Sequence, residues 1–261
     1  MNVPPLTWLY VPADRPDRVE KAFASRAHAV IVDLEDAVAP GAKAGARAGL
    51  ASLLGERRDK PALLRVNGGD EADLGTAGAL PIDGVVVPKV SRPEDVPALG
   101  LPVYCLIETA LGVEHAFAIA STPGVAGIAL GEADLRSETG ALEAGLDWAR
   151  ARIVNAAVAA GLPRPPQSVY PSFDDPDGLA RSCVRGRELG HLGRTAIHPA
   201  QLEVIERAYL PTDEELAQAH ATVARLDADS GASALEGALV DAAMLGSAQL
   251  VVALAERYGT S

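Results

Sequence analysis

The chain has 261 residues and a formal net charge of −12, with 35 Asp and Glu against 23 Lys and Arg. This length suits one large α/β domain with a substantial buried core. The acidic balance argues against nucleic acid as a partner, because the phosphate backbone is bound by clustered positive charge. No apolar stretch is long enough to cross a membrane, and only two cysteines occur, so the sequence predicts a cytoplasmic protein with reduced thiols.

Short apolar runs rich in β-branched residues recur along the first 200 residues, and helix-like stretches lie between them. Continuous apolar runs are typical of parallel strands that are covered on both faces. The helix-like stretches include residues 16–25, 43–54, 143–160 and 176–189, several with Pro near the start and Gly near the end. The eight apolar runs are 8–12, 29–36, 62–67, 84–89, 103–109, 125–134, 168–172 and 194–199.

Eight such alternations predict an α/β fold, a (β/α)8 TIM barrel over residues 1–210 that forms the catalytic domain. An open doubly wound sheet is the alternative, but the glycine-rich phosphate loop expected after an early strand of that fold does not occur. For residues 211–261 the sequence predicts a C-terminal helical extension that packs on the barrel or on a neighbouring subunit. One of its helices begins at a capping box of Thr212 and Glu215, and another is predicted over residues 238–258.

Polar and charged residues stand where the predicted strands end. In a (β/α)8 barrel the active site lies at the carboxyl ends of the strands. Charged side chains placed there are costly unless they pair with one another or bind a ligand, so the sequence predicts a site at the mouth of the barrel. The residues are Asp33, Glu35, Asp36, Arg65, Asn67, Lys89, Glu108, Asp134, Tyr170 and His198.

Glu108 and Asp134 end two successive predicted strands, so their carboxylates are expected to converge above the mouth. Two carboxylates without an accompanying Cys or His suit a hard cation such as Mg²⁺, whose remaining positions are filled by water or substrate oxygens. Zinc is disfavoured because His198 has no partner at metal-ligand spacing. The alternative is that each carboxylate is only a favourable charge at the N-terminus of the following helix.

Arg65 and Lys89 bring positive charge to the same mouth. The guanidinium of Arg65 could hold a substrate carboxylate or stabilise an oxygen that becomes negative during reaction. Its alternative role is an ion pair with Asp33 or Asp36. Lys89 could form a Schiff base with a carbonyl substrate, but the nearby carboxylates favour metal-assisted chemistry and leave Lys89 as a structural charge partner.

A basic cluster follows the first predicted strand, with Arg15, Arg18 and Lys21 spaced three residues apart on one helical face. In so acidic a chain this cluster could bind a phosphate or nucleotide. The alternative is an ordinary solvated helix face.

Taken in order, these segments resemble the HpcH/HpaI aldolase and citrate lyase beta-subunit-like family. The resemblance implies a (β/α)8 barrel, usually a homotrimer, that binds Mg²⁺ and cleaves or forms a carbon–carbon bond in 3-hydroxyacyl-CoA esters. The matching segments are WLYVPADRPDRVEKA, VIVDLEDAVAPGAKAGAR, LLRVNG, VVVPKV, LIETALG, LGEADL, AAGLP, GRTAIHPAQLEVIERAY and EGALVD.

The resemblance also assigns roles. Glu108 and Asp134 look like the metal ligands, and Arg65 looks like the substrate-binding arginine. Glu35 and Asp36 would support the metal through water. Backbone N–H groups of Ala133 and Asp134, at a helix N-terminus, would bind the carboxylate of a 2-oxo acid. The basic cluster Arg15, Arg18 and Lys21 would contact CoA.

Asp241 is the last residue that the resemblance assigns. In the CoA-lyase branch an aspartate in a G-x-M-V-D pattern reaches into the neighbouring subunit's site as a general acid or base. Here the pattern is GALVD, in which Leu239 replaces the methionine with little change of volume. Without the resemblance, Asp241 would be the N-terminal charge of the last helix.

The activity implied is cleavage of a malyl-, citramalyl- or citryl-type CoA ester to acetyl-CoA and a 2-oxo acid (glyoxylate, pyruvate or oxaloacetate). Free-acid aldolases of the wider family lack the tail that carries Asp241, so its presence favours a thioester substrate. Two alternatives stay open: a metal-dependent aldolase acting on free 2-oxo acids, and a lyase subunit that needs an acyl-carrier partner.

Overall fold

The structure is a computed structural model that describes residues 3–228, 233–235, 238–240 and 244–259. The chain divides into two compact units, one formed by Pro5–Ala208 and the other by Met1–Pro4 together with Tyr209–Ser261. Within the described residues, no helix combines the length and the apolar character needed to cross a membrane. Both cysteines, Cys105 and Cys183, are buried thiols, in agreement with the sequence prediction.

A single parallel sheet forms the centre of the first unit. Its strands are β1 (Thr7–Pro12), β2 (Ala29–Asp33), β3 (Ala62–Arg65), β4 (Gly84–Val87), β5 (Val103–Ile107), β6 (Val125–Leu130) and β7 (Arg194–Ala196). The strand order is β6-β5-β4-β3-β2-β1-β7, so the first and last strands of this unit are neighbours. The predicted α/β fold with parallel, doubly covered strands is confirmed.

The strand predicted over residues 168–172 is wrong. In its place the structure has one isolated parallel bridge between Gln167 and Arg194. Pro165 and Pro166 precede the segment and Pro171 lies within it, and proline lacks the N–H group that a strand ladder needs. Side chains hold the segment instead: a guanidinium N–H of Arg194 donates to Oε1 of Gln167 at 3.2 Å. The described sheet therefore has seven strands, and a closed eight-stranded barrel stays a prediction.

Helices follow most strands. They are α1 (Pro16–Ala24), α2 (Lys43–Leu54), α3 (Glu71–Ala79), α4 (Ala110–Ala120), α5 (Glu132–Thr139), α6 (Asp147–Ala159), α7 (Pro176–Glu188), α8 (Leu202–Tyr209), α9 (Asp213–Ala228) and α10 (Leu245–Tyr258). Short 3-10 helices lie at Pro40–Ala42, Pro93–Asp95, Glu143–Leu146 and Pro199–Gln201. The four helices predicted within residues 16–189 are confirmed, although the one predicted from residue 143 begins with a 3-10 turn.

The second unit contains α9, which packs against α10, and a small hairpin. The predicted capping box is present: the N–H of Thr212 donates to Glu215 at 2.8 Å, and the N–H of Glu215 donates to Oγ1 of Thr212 at 3.1 Å. The helix predicted over residues 238–258 is correct only in its later part. Ala238–Val240 forms β9, which pairs antiparallel with β8 (Ser233–Leu235), and α10 begins at Leu245.

Alternation along the strands explains which side chains reach the site. Side chains two residues apart share a face of the sheet. Asp33, Arg65 and Glu108 each stand two residues beyond Ile31, Leu63 and Leu106, which are members of one buried cluster. The side chains of these three polar residues therefore lie on the same face of the sheet as the buried cluster, at the carboxyl ends of the strands. The cluster consists of Trp8, Ala29, Ile31, Leu63, Val86 and Leu106, with Tyr10, Tyr104 and Ala129 packed against it.

Gly193 lies where β1, β7 and the Gln167 bridge meet. Its φ is +80°, and a Cβ atom added there would lie 2.4 Å from the carbonyl oxygen of Leu6. Its own carbonyl accepts the N–H of Gln167 at 2.9 Å. Only glycine satisfies both the left-handed backbone and the close approach of the two chains.

We expect Gly193→Ala to lower the free energy of unfolding by about 2 kcal/mol or more. The added Cβ atom would strain the left-handed backbone and would also overlap the backbone of Leu6. Gly75→Ala is the matched control. Gly75 is exposed in α3 with no atom near its added Cβ, so this change should raise stability by about 1 kcal/mol. Urea denaturation measures both variants, and equal midpoints would contradict the role given to Gly193.

Candidate active site

The site is built on a buried pair between adjacent strands. Asp33 and Arg65 are register partners at the ends of β2 and β3. Nε and Nη2 of Arg65 donate to the two carboxylate oxygens of Asp33 at 2.7 and 2.6 Å. Burial alone would lower the pKa of Arg65, but hydrogen bonding and the charge of Asp33 raise it overall, so the guanidinium stays charged. The predicted ion pair of Arg65 with Asp33 is present, and Asp36 is more distant at 3.8 Å.

Tyr10 packs against the same guanidinium, with the Cζ atom of Arg65 4.9 Å from the ring centroid. Burial raises the pKa of Tyr10, so its hydroxyl stays neutral. Tyr10 is not among the site residues that the sequence patterns predict. Its position two residues after Trp8 in β1 was the available signal, since Trp8 belongs to the buried cluster on that face.

Glu35 follows β2 and lies between two cations. Its Oε2 is 3.0 Å from Nη1 of Arg65, yet the geometry makes no hydrogen bond at that buried oxygen. Its Oε1 is 3.5 Å from Nζ of Lys89. Burial raises the pKa of Glu35, while the charge of Arg65 acts in the opposite direction. Asp36, beside it, is exposed.

Glu108 directly follows β5 and is 6% exposed. Its Oε2 accepts the backbone N–H of Lys89 at 2.9 Å. A Cβ atom on Gly131 would lie 2.3 Å from Cγ of Glu108, so glycine at that position makes room for the side chain. Burial raises the pKa of Glu108 to about 7, with contributions from the charges of Glu35 and Asp134.

Asp134 lies in the first turn of α5, directly after β6. It and Ala133 are exposed, and β6 is the sheet neighbour of β5, as predicted. The preceding Glu132 is held by Arg150, whose guanidinium donates to both of its carboxylate oxygens at 2.9 and 2.6 Å. We refer to Glu35, Asp36, Glu108 and Asp134 as the carboxylate cluster.

The carboxylate cluster has the composition that a hard divalent cation requires. Repulsion among its members contributes to the raised pKa of Glu108, and Oε2 of Glu35 lacks a hydrogen bond. The described part of the chain has no group of three or more His, Cys, Asp or Glu side chains arranged around one metal position. A cation held by Glu108 and Asp134 would therefore take water or substrate oxygens in its other positions, which suits Mg²⁺.

Lys89 does not have the properties of a Schiff-base nucleophile. The charge of Glu35, with smaller contributions from Asp36 and Asp134, raises its pKa. A Schiff base requires the neutral amine, which a depressed pKa would supply. The alternative role of Lys89 as a charge partner fits its contact with Glu35.

The basic cluster lines a separate cavity of about 470 Å³. Asp17 lies among its members, 3.6 Å from Arg15 and 4.0 Å from Lys21, so it neutralises part of their charge. Tyr10 lines this cavity and also contacts Arg65. The remaining lining residues are Leu9, Val11, Pro12, Asp17, Ala22, Ile197, His198 and Pro199.

The structure thus places Glu35 beside Arg65 and Lys89 in contact with both Glu35 and Glu108, and the charge of Asp134 contributes to the raised pKa of Glu108. The basic cluster lines a cavity that Tyr10 also lines. Asp241, the predicted acid or base, lies outside the described residues. Its role stays a prediction.

Comparisons with known proteins bear on the family. A sequence profile described as HpcH/HpaI aldolase/citrate lyase matches residues 6–100 and 98–199. A (3S)-malyl-CoA thioesterase of Cereibacter sphaeroides is 35% identical, and the alignment covers 95% of this chain and 93% of that protein. An L-malyl-CoA/beta-methylmalyl-CoA lyase of the same organism is 29% identical over the same shares.

Solved structures agree with the sequence comparisons. Protein CitE of Mycobacterium tuberculosis, in complex with magnesium, acetoacetate and coenzyme A, matches with a TM-score of 0.85 at 31% identity, over 98% of this chain and 99% of that chain. A citrate lyase beta subunit of that organism, with oxaloacetate and magnesium, matches with a TM-score of 0.72 at 31% identity, over 79% and 97%. The resemblance drawn from the sequence motifs is confirmed, and the chain belongs to the HpcH/HpaI aldolase/citrate lyase family of carbon–carbon lyases.

Proposed function

We propose that this protein is a Mg²⁺-dependent lyase that cleaves a 3-hydroxyacyl-CoA ester of the malyl, citramalyl or citryl type to acetyl-CoA and a 2-oxo acid. The observation that carries the proposal is a buried Glu108, whose pKa is raised by burial and by the charges of Glu35 and Asp134, on the same sheet as an Arg65 that is held by Asp33. The similar CitE structure, which contains magnesium, acetoacetate and coenzyme A, supports the ligand classes.

Glu108 and Asp134 would hold the metal, and Glu35 and Asp36 would support it through water. When bound, Mg²⁺ acts as a Lewis acid on oxygens of the substrate. The N–H of Lys89 donates to Oε2 of Glu108 and thereby fixes the orientation of this carboxylate. The excess of carboxylates at these strand ends favours a divalent cation over a neutral ligand.

Arg65 would bind and orient the substrate. Its Nε and Nη2 donate to Asp33, and its Nη1 lies 3.0 Å from Oε2 of Glu35 without a hydrogen bond to it. Nη1 is therefore the part of the fork proposed to donate to a substrate oxygen. Cleavage leaves negative charge on the acetyl-CoA part, and a fixed guanidinium stabilises such charge without reorganising. Backbone N–H groups of Ala133 and Asp134 in the first turn of α5 would hold the carboxylate of the 2-oxo acid.

The basic cluster would hold the phosphates of CoA. Arg15, Arg18 and Lys21 line a cavity to which Tyr10 also contributes, and Tyr10 contacts Arg65 of the proposed substrate site. The proposal therefore has the thioester extend from the cavity toward Arg65. His198 also lines the cavity and stacks on Phe173 at 5.1 Å between ring centroids.

The finer architecture belongs to the same proposal. We expect the sheet to close into a (β/α)8 barrel over residues 1–210, and residues 211–261 to form a helical extension of a cytoplasmic homotrimer. Asp241 of one subunit would then act in the neighbour's site, where a carboxyl group can supply the proton that the acetyl-CoA enolate takes up.

Hydrolysis is a second candidate activity. The malyl-CoA thioesterase is 35% identical to this chain, whereas the malyl-CoA lyase is 29% identical. A site that holds the malyl group in the same way could admit water to the thioester carbonyl and release malate and CoA.

Products from a panel of thioesters test the function. The purified chain with Mg²⁺ is expected to release a 2-oxo acid and acetyl-CoA from malyl-, citramalyl- or citryl-CoA, and EDTA should abolish the release. Phenylhydrazine detects the 2-oxo acid, and a thiol reagent detects free CoA. Free CoA without 2-oxo acid would establish hydrolysis, while inactivity on every thioester would point to the free-acid aldolase or to a subunit that needs an acyl-carrier partner.

Metal binding tests the assigned ligands. Glu108→Gln and Asp134→Asn each replace a charged oxygen ligand with a weaker neutral one, so we expect Mg²⁺ affinity to fall by about 100-fold or more. Glu71→Gln, on an exposed residue of α3, is the matched control and should leave affinity unchanged. Isothermal titration calorimetry measures all three, and an unchanged affinity in Glu108→Gln would exclude Glu108 as a ligand.

Asp241→Asn tests the proposed proton donor. Because Asp241 is not among the proposed metal ligands, Mg²⁺ affinity should stay within about twofold of the parent, while kcat falls by roughly 10²–10⁴-fold, as expected for loss of a general acid. Steady-state kinetics and calorimetry on the same preparation separate the two effects. Full turnover in this variant would remove Asp241 from the mechanism.

A further inference from the structure

Lys89 has an unusual backbone conformation for its residue type. Among the described residues it is the only non-glycine with a positive φ, at +58°. Residues with a Cβ atom avoid this region, and glycine and asparagine enter it more readily. Such strain persists only where the surrounding structure enforces it, and it concentrates at functional sites.

The surrounding contacts explain what the strained turn achieves. After β4 the chain passes through Lys89 and returns to the sheet at Val90, whose N–H donates to the carbonyl of Leu106 at 3.2 Å. Leu106 stands two residues before Glu108 in β5. The left-handed turn between these anchors directs the N–H of Lys89 at Oε2 of Glu108, 2.9 Å away.

The side chain of Lys89 extends toward Glu35. Its ammonium lies 3.5 Å from Oε1 of Glu35. One residue therefore contacts two members of the carboxylate cluster, Glu108 through its backbone and Glu35 through its charge. The two contacts have opposite consequences for a cation, because the amide orients a ligand whereas the ammonium competes for negative charge.

We propose that Lys89 is a positioning residue for Glu108, and that its left-handed backbone exists to fix the orientation of that carboxylate in the metal site. The inference rests on the metal site proposed above. The positioning role belongs to the backbone of Lys89. We therefore expect metal binding to survive removal of the ammonium and to weaken when the left-handed turn is disrupted.

Two pairs of variants separate these contributions, since all four lack the ammonium. Lys89→Gly and Lys89→Asn accept a positive φ, whereas Lys89→Val and Lys89→Ala resist it. Binding of Mn²⁺, observed by electron paramagnetic resonance in place of Mg²⁺, is the readout, with circular dichroism and thermal unfolding as the measure of folding. We expect the Gly and Asn variants to bind Mn²⁺ at least as tightly as the parent, and the Val variant to bind at least tenfold more weakly.

Each outcome decides the proposal. Equal Mn²⁺ affinity in folded Gly and Val variants overturns the positioning role, and so does weakening in all four variants, which would assign the effect to the ammonium. If the Val variant does not fold, the comparison passes to Ala against Gly, where at least threefold weaker binding by Ala supports the role and equal binding overturns it. A parent protein that binds no Mn²⁺ refutes the metal site itself, and with it the proposed function.

Discussion

The buried pairing of Asp33 with Arg65 is the interaction on which the arrangement of the strand ends depends. A buried charge without partners is strongly destabilising, and Asp33 is fully buried. Its oxygens accept from Arg65 and also from the backbone N–H groups of Glu35 and Ala37, at 2.9 and 3.1 Å. One carboxylate therefore fixes both the guanidinium on β3 and the loop that carries Glu35 after β2.

This pairing leaves the carboxylate cluster with more negative than positive charge. Arg65 shares its charge between Asp33 and Glu35, and the ammonium of Lys89 lies 3.5 Å from Glu35. Repulsion from Glu35 and Asp134, added to burial, raises the pKa of Glu108 to about 7. A divalent cation bound by the carboxylates would relieve that repulsion. The repulsion that destabilises the site without a ligand is therefore also what favours binding of a metal.

Much of this architecture follows from sequence patterns, because buried parallel strands require continuous apolar runs and their carboxyl ends share one edge of the sheet. On that basis Glu108 and Asp134 are predicted as neighbours before any coordinates are known. The pattern fails at residues 168–172, where prolines before and within the segment cannot donate ladder hydrogen bonds. The contact of Tyr10 with Arg65 and the left-handed turn at Lys89 also escape prediction, since each depends on which groups meet after folding.

Relatives with different named activities, a malyl-CoA thioesterase and a malyl-CoA lyase, align with this chain over 95% of its length. One reaction breaks a carbon–sulfur bond and the other a carbon–carbon bond, yet both must hold the same malyl group. The groups proposed to hold it, Arg65 and the carboxylate cluster, stand at or next to strand ends, where the sheet positions them rigidly. In the proposed mechanism the choice of bond falls to the groups that deliver a proton or admit water, among them Asp241 of the tail. On that proposal one scaffold can support both reactions, because substrate holding and proton delivery are assigned to different parts of the chain.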